Sequence, residues 1–310
     1  MSDAIIPFVT AAPPIGGPAL HALLAGAIDY AGLFPPAALD LPAAVANYLQ
    51  YRESGDAWAL GKFVIPATSL EVLGSILASR GPFGEPVAAS VLLGAQVASD
   101  LQRVRAFGAS PAGRLVNIQS VEWKATAGDL EQVLSETTGR WACYVELPVS
   151  EDLDGAFAEL SRKGARAKVR TGGIHQAAFP PADMLSRFLS VAARSKVPFK
   201  ATAGLHHALG GHYPLTYEPA APTGTMYGYL NVMLAALILW DHGGALSPSV
   251  DAALRESSPA AFSWRPDALY WRDQRFDIAR LSAFRRRMFH GFGSCSFREP
   301  LDDPTLLNAR

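Results

Sequence analysis

The chain has 310 residues, of which 49% are hydrophobic and 18% are charged, and its formal net charge is −1. A chain of this length can bury one large α/β core or two smaller ones. The balanced charge offers no basic surface for nucleic acid, and two cysteines are too few for a disulfide framework, so a cytoplasmic protein is expected.

Two apolar segments near the start and the middle of the chain do not predict membrane insertion. Residues 1–20 have no Lys or Arg ahead of their apolar residues and contain Pro-Pro and Gly-Gly, unlike a signal peptide. The most apolar run, residues 230–240, is interrupted by Asn231 and is shorter than the roughly 18–20 residues of a membrane span. We therefore expect an N-terminal extension over residues 1–20 and no membrane partner.

Short β-rich runs alternate with longer helical runs, which is typical of a mostly parallel sheet. Strands are predicted at residues 28–34, 62–65, 87–93, 115–120, 142–147, 167–170 and 199–202. Helices are predicted at residues 41–53, 69–79, 96–107, 127–136, 153–163, 182–195 and 228–241. This pattern favours a (β/α)8 TIM-barrel-like fold, for which one strand is still missing.

The missing eighth strand has two candidates near the C-terminus. Residues 261–272 predict a β-hairpin carrying Trp264 and Trp271, which would pack in the core or at a homo-oligomer interface. An amphipathic helix at residues 278–289 and a final β-rich run at residues 292–297 follow. Because no Ser/Gly linker or low-complexity segment interrupts the chain, we predict one barrel domain over residues 1–310, with residues 261–310 forming the hairpin, helix and closing segment.

Polar side chains recur at alternate positions of four consecutive predicted strands. Side chains two apart in a strand share a face. The pairs are Asn117 with Gln119, Tyr144 with Glu146, Lys168 with Arg170, and Lys200 with Thr202. Since reactive groups of parallel α/β proteins lie at the carboxyl ends of the strands, we expect these pairs to converge inside the barrel.

Two similar motifs end neighbouring strands, Lys168-Val-Arg-Thr-Gly-Gly173 and Lys200-Ala-Thr-Ala-Gly204. A buried lysine is costly unless its charge is used. A cluster of cations favours an anionic substrate, with Arg170 as its planar partner. Two close lysines also depress the pKa of one of them, and a neutral amine can form a Schiff base. The alternative is a buried ion pair between Lys168 and Glu146 without chemistry.

Over about residues 140–205 the two motifs resemble class I aldolases of the deoxyribose-phosphate aldolase type. The resemblance implies a lyase without a cofactor, in which Lys168 forms the Schiff base and Lys200 lowers its pKa. It also implies that Gly172 and Gly173 let backbone amides approach a phosphate. Those aldolases carry an aspartate in the fourth strand, where this chain is predicted to present Asn117 and Gln119. The final run, residues 292–297, is also similar to the ending of a bacterial barrel family without a known function.

The remaining candidates complete a site for a small anionic carbonyl compound. Asp29 or Glu146 is the candidate proton-transfer carboxylate, and Asp29 could instead cap local backbone. The predicted substrate-binding residues are Arg170, Thr171, Gly172, Gly173, Thr202, His206, His207, Asn117 and Asn231. The segment 213–225 is long for a βα connection and predicts a binding loop or lid.

Two other functions remain compatible with the residues. In one, His206 and His207 help to bind a divalent metal in a hydrolase or isomerase, and the lysines provide only charge. In the other, the barrel holds an anionic ligand without turnover. Cys295, together with a distant histidine, is a further candidate nucleophile.

Overall fold

Eight parallel strands form a closed barrel in the computed structural model, which describes residues 17–81, 84–124, 130–137, 139–149 and 153–309. The barrel strands are β1 (Ile28–Tyr30), β2 (Leu60–Pro66), β3 (Val87–Leu92), β4 (Val116–Lys124), β5 (Ala142–Glu146), β6 (Arg166–Arg170), β7 (Phe199–Thr202) and β13 (Phe289–Ser294). Outside the barrel lie β8 (Gly211–Pro214), β9 (Thr223–Met226), β10 (Phe262–Trp264), β11 (Ala268–Trp271) and β12 (Gln274–Asp277). The order around the barrel is β1-β13-β7-β6-β5-β4-β3-β2, which confirms the predicted α/β barrel.

Helices connect and surround the barrel strands. They are α1 (Pro18–Leu24), α2 (Leu41–Arg52), α3 (Leu70–Ser79), α4 (Val97–Ala109), α5 (Leu130–Thr137), α6 (Leu153–Lys163), α7 (Ala182–Ser195), α8 (Tyr229–Asp241), α9 (Pro248–Arg255), α10 (Ile278–Arg287) and α11 (Arg298–Asp302). The apolar helix α8 packs against α7 and α9, and nearly all of its side chains are buried. None of the helices among the described residues is long and apolar enough to cross a membrane.

The final predicted run supplies the eighth barrel strand. Strand β13 pairs in parallel with β1 on one side and β7 on the other, with Asp29 opposite Gly293. The alternative, closure by the predicted hairpin at residues 261–272, is wrong. Its strands β10 and β11 pair antiparallel with each other and continue into β12, so they form a separate three-stranded sheet.

Three further sequence predictions require correction. Strand β4 runs to Lys124 instead of ending at Ser120. The predicted loop 213–225 contains part of an antiparallel hairpin formed by β8 and β9. Residues 17 onward of the predicted N-terminal extension lead into α1, whereas residues 1–16 lie outside the described residues, as do residues 125–129 at the end of β4.

Candidate functional site

A cavity of about 260 Å³ opens at the carboxyl ends of the barrel strands. Strand ends from all around the barrel contribute to its wall. Its polar lining includes Glu122, Glu146, Lys168, Arg170, Lys200, Thr202, His206 and Cys295, and its apolar lining includes Phe34, Val64 and Leu92. The predicted convergence of β5, β6 and β7 at this end of the barrel is therefore confirmed.

A buried carboxylate on β4, Glu122, lies at the centre of this polar lining. Its Oε1 is 2.5 Å from the Nζ of Lys200, and its Oε2 is 3.0 Å from the Nζ of Lys168. The hydroxyl of Ser90 also donates to Oε1 at 2.5 Å. Burial opposes the charge of Glu122, but the two lysines and Ser90 hold its pKa well below the ordinary value, so it is ionised.

Lys200 is held between two carboxylates. Besides Glu122, its Nζ contacts Oδ2 of Asp29 at 2.5 Å, and the lysine side chain is only 3% exposed. Asp29 is itself fixed by the backbone N–H of Lys62, which donates to Oδ1 at 2.7 Å. Burial lowers the pKa of Lys200, but Asp29 and Glu122 together raise it well above the ordinary value, so Lys200 is a permanent cation of the cavity wall.

Lys168 lies beside Lys200, since the two lysines are register partners on β6 and β7. Its Nζ lies 3.0 Å from Glu122 and 3.1 Å from Oε2 of Glu146, which is also its register partner on β5. On the side toward solvent, Oε1 of Glu146 is 3.4 Å from the guanidinium of Arg170, whose side chain is 53% exposed. Lys168 and Arg170 lower the pKa of Glu146 against the effect of its burial. The three cations therefore lie in a row along the cavity wall, from the buried Lys200 through Lys168 to the exposed Arg170.

A second polar group borders the same cavity. His206 follows β7, and Cys295 follows β13, while Glu299 lies in α11. The Nδ1 atom of His206 is 3.1 Å from Oε2 of Glu299 and 3.9 Å from the Sγ atom of Cys295. Burial lowers the pKa of His206, but its contacts with Cys295 and Glu299 raise it to about 9.

The two adjacent histidines do not face a common point, which corrects the predicted arrangement for a shared metal. His207 stacks on Tyr213 at 3.6 Å between ring centroids, and its Nδ1 lies 3.6 Å from Asp303. His206, in contrast, lines the cavity. Consecutive residues direct their side chains apart, so the pair contributes one histidine to the site.

Besides His207, four residues predicted to bind the substrate, namely Asn117, Thr171, Gly172 and Asn231, lie outside the cavity lining. Asn117 is exposed at the start of β4, because the interior face of that strand carries Ser120 and Glu122. The hydroxyl of Thr171 donates to the backbone carbonyls of Thr202 and Ala203.

Gly172 and Asn231 have structural roles: Gly172 packs closely against a phenylalanine ring, and Asn231 binds backbone groups. A Cβ on Gly172 would lie 2.4 Å from the ring of Phe179, so this glycine is required by packing. The side-chain oxygen of Asn231 accepts hydrogen bonds from the N–H groups of Gly210 and Gly228. Its side-chain nitrogen donates to the backbone carbonyl of Ala253, within α9, and to that of Glu256, just after α9. Gly173, by contrast, lines the cavity as predicted.

Several residues of the site were absent from the sequence prediction. Glu122 was missed because the fourth strand was ended at Ser120 and because a register irregularity between Ile118 and Ser120 shifts the alternation of that strand, so the predicted face of Asn117 does not lead to Glu122. Ser90 and Lys62 carry no motif of their own. Glu299 is 93 residues from His206, so no local spacing indicates their contact.

Comparisons with protein-family models, with curated proteins and with solved structures found no match for this chain. The fold and the site define an α/β barrel with a lysine–carboxylate cluster at the carboxyl ends of its strands. The function is therefore inferred from the geometry of that cluster.

Proposed function

We propose that this protein is an enzyme of the lyase class, in which Lys168 forms a Schiff base with a small anionic carbonyl compound during an aldol-type cleavage or condensation. The observation that carries this proposal is the position of the Lys168 amine. It lies on the wall of the cavity, between the carboxylates of Glu122 and Glu146 and beside the fixed cation Lys200.

Of the two lysines, Lys168 is the better nucleophile. An amine must be unprotonated to attack a carbonyl carbon. Lys200 is held as an ammonium by two contacts of 2.5 Å, whereas the contacts of Lys168 measure 3.0 and 3.1 Å. This division of roles agrees with the resemblance of the two motifs to class I aldolases.

The carboxylates beside Lys168 are placed for the proton transfers of such a reaction. Glu122 or Glu146 takes a proton from the Lys168 ammonium, and the free amine then adds to the substrate carbonyl. The resulting hydroxyl leaves as water with a proton returned by the carboxylic acid, which produces an iminium ion. A neighbouring carboxylate then takes the proton of the substrate's β-hydroxyl, and the iminium accepts the electron pair of the breaking C–C bond, giving an enamine and a released carbonyl fragment. Return of that proton to the enamine carbon and hydrolysis of the iminium restore Lys168.

The cavity also indicates the class of substrate. Its volume of about 260 Å³ lies below the usual range for drug-sized ligands, so it suits a molecule of a few carbon atoms. The exposed guanidinium of Arg170 at the outer edge offers a planar partner for a carboxylate or phosphate. Thr202, Gly173 and His206 are the remaining predicted binding residues on the wall. The chemistry requires no cofactor, and we expect it to occur in the cytoplasm.

Mass spectrometry after borohydride reduction tests the proposal directly. The full-length protein is incubated with a panel of small aldehydes, keto acids and their phosphates, and the modified residue is mapped. An adduct on Lys168 is expected, and Lys168→Met should lose both the adduct and turnover while still unfolding in one cooperative transition, at a lower midpoint because it removes a buried partner of Glu122 and Glu146. Lys124→Met, at the exposed end of β4, is the control for random amine modification.

The contrary outcomes are equally specific. An active Lys168→Met variant, or trapping on Lys200 in preference to Lys168, would contradict the assignment. Tight ligand binding by the wild-type protein with neither adduct nor turnover would instead identify a binding protein.

A further inference from the structure

We infer that His206, Cys295 and Glu299 form a binding site for a divalent transition metal such as Zn²⁺ at the edge of the cavity. The three side chains come from separate parts of the chain: the segment after β7, the end of β13 and the first turn of α11. One donor atom from each, a nitrogen, a sulfur and an oxygen, lies within 4.8 Å of the other two. This inference goes beyond the lysine chemistry and does not depend on it.

The separations of the donor atoms match those of a tetrahedral site. With Zn–S near 2.3 Å and Zn–N near 2.0–2.1 Å, tetrahedral geometry places sulfur and nitrogen about 3.6 Å apart, and nitrogen and oxygen about 3.4 Å apart. The observed distances are 3.9 Å from Sγ of Cys295 to Nδ1 of His206, and 3.1 Å from that Nδ1 to Oε2 of Glu299. The two distances from Nδ1 of His206 therefore differ from the tetrahedral values by only about 0.3 Å.

The same geometry disfavours the alternative of a catalytic Cys–His pair. In a triad, the orienting carboxylate contacts the ring nitrogen opposite the one that faces the nucleophile, which produces a chain of contacts. Here Glu299 and Cys295 contact the same nitrogen of His206. Three donor atoms that surround one point are the arrangement of a metal site.

A fourth group supports the convergence. The hydroxyl of Tyr217, on the β8–β9 hairpin, lies 2.7 Å from Oε2 of Glu299 and 3.4 Å from Sγ of Cys295. A hydroxyl in contact with two ligands orients them as the outer partners of metal ligands do. His206 and Cys295 both line the cavity, so an ion held by three side chains would keep its fourth position toward the substrate, as in catalytic zinc sites.

Metal binding by the full-length protein tests the inference. After treatment with a chelator, the protein is titrated with Zn²⁺, and Co²⁺ is used separately because a thiolate ligand gives it a charge-transfer absorption band. Stoichiometric Zn²⁺ binding and this band are expected for the wild type. Cys295→Ser and His206→Gln should lose both, and Tyr217→Phe should weaken binding by about 10- to 100-fold.

Matched variants separate this result from unfolding and from the Schiff-base proposal. Cys143→Ser removes the other cysteine, a buried thiol bonded to Thr137, and should bind Zn²⁺ like the wild type. Lys168→Met should also retain the metal while losing the borohydride adduct. The inference is overturned if the wild type binds no Zn²⁺, if Cys295→Ser binds it unchanged with an intact fold, or if Cys295 instead alkylates rapidly in a His206-dependent manner without binding metal.

Discussion

Replacing Glu122 by glutamine tests the electrostatic centre of the site. The side chain is 2% exposed and contacts the ammonium groups of Lys168 and Lys200. It is the one carboxylate that contacts both lysines among the described residues, since Asp29 contacts Lys200 and Glu146 contacts Lys168. Glutamine has nearly the same volume, so the substitution removes the negative charge that the two ammonium groups share without opening a cavity.

The size of the effect follows from the contact distances. At an effective dielectric constant of 20, two unit charges 2.5 Å apart, as for Nζ of Lys200 and Oε1 of Glu122, attract by about 7 kcal/mol. Desolvation of each buried ion costs several kcal/mol, and removing one partner of a buried pair costs about 3–5 kcal/mol. Because Lys200 keeps Asp29 and Lys168 keeps Glu146, we expect the unfolding free energy to fall by about 3 kcal/mol.

Denaturant unfolding of a double-mutant cycle measures this interaction. Glu122→Gln and Lys200→Met should each lower the transition midpoint without changing the slope. The double variant should be destabilised by at least about 1 kcal/mol less than the sum, because it removes both members of the pair. Glu71→Gln, at an exposed position of α3, should leave the midpoint unchanged. Additive effects, or a loss below about 1 kcal/mol for Glu122→Gln, would refute the reasoning.

Three further substitutions probe stability away from the cluster. Burial, followed by the charge of Arg166, lowers the pKa of His290 to about 4. As the pH drops, the unfolded state therefore binds a proton before the folded state does. The unfolding free energy should fall by no more than about 3 kcal/mol between about pH 6.5 and pH 4, measured by denaturant unfolding at a series of pH values. His290→Gln should make the unfolding free energy less dependent on pH in this range. Gly172→Ala should lower the unfolding free energy by about 1–3 kcal/mol through its clash with Phe179, whereas a thermal midpoint equal to the wild type would contradict the close packing. Asn231→Leu should lower the unfolding free energy by at least about 3 kcal/mol in chemical denaturation, because it removes the side-chain partner of three buried backbone groups and of the partly buried N–H of Gly210. A near-neutral result would mean that these groups find other partners.

The sequence was sufficient for the barrel and for three of its polar strands, because both follow local periodicities. Alternation within β5, β6 and β7 identified Glu146, Lys168 and Lys200 as groups sharing the interior. The same rule failed on β4 for two reasons. The strand was ended at Ser120, and a register irregularity opposite Ala89 and Ser90 shifts the alternation, so that Ser120 and Glu122 face the interior while Asn117 and Gln119 are exposed. The eighth strand could not be chosen, since a β-rich run does not reveal whether its partners are sequential neighbours or β1 and β7.

The group of His206, Cys295 and Glu299 illustrates a different limit. Cys295 is 89 residues from His206, and neither belongs to a motif with metal-ligand spacing. Their proximity follows from β7 and β13 being neighbours in the closed barrel, because the segments after both strands emerge at the same end. Only the order of strands around the barrel contains this information.

The two lysine motifs differ in their contacts because of their positions in the closed barrel. Lys168 contacts Glu146 on the adjacent strand, a contact that an open sheet would also allow, and Glu122 on β4, which does not pair with β6. The partners of Lys200, in contrast, come from β1 and β4, neither of which pairs with β7. They reach Lys200 across the interior, and they do so only because β13 closes the ring between β7 and β1. Barrel closure therefore holds Lys200 between two carboxylates at 2.5 Å, whereas the contacts of Lys168, in nearly the same sequence motif, are longer, which is the difference on which the proposed role of Lys168 rests.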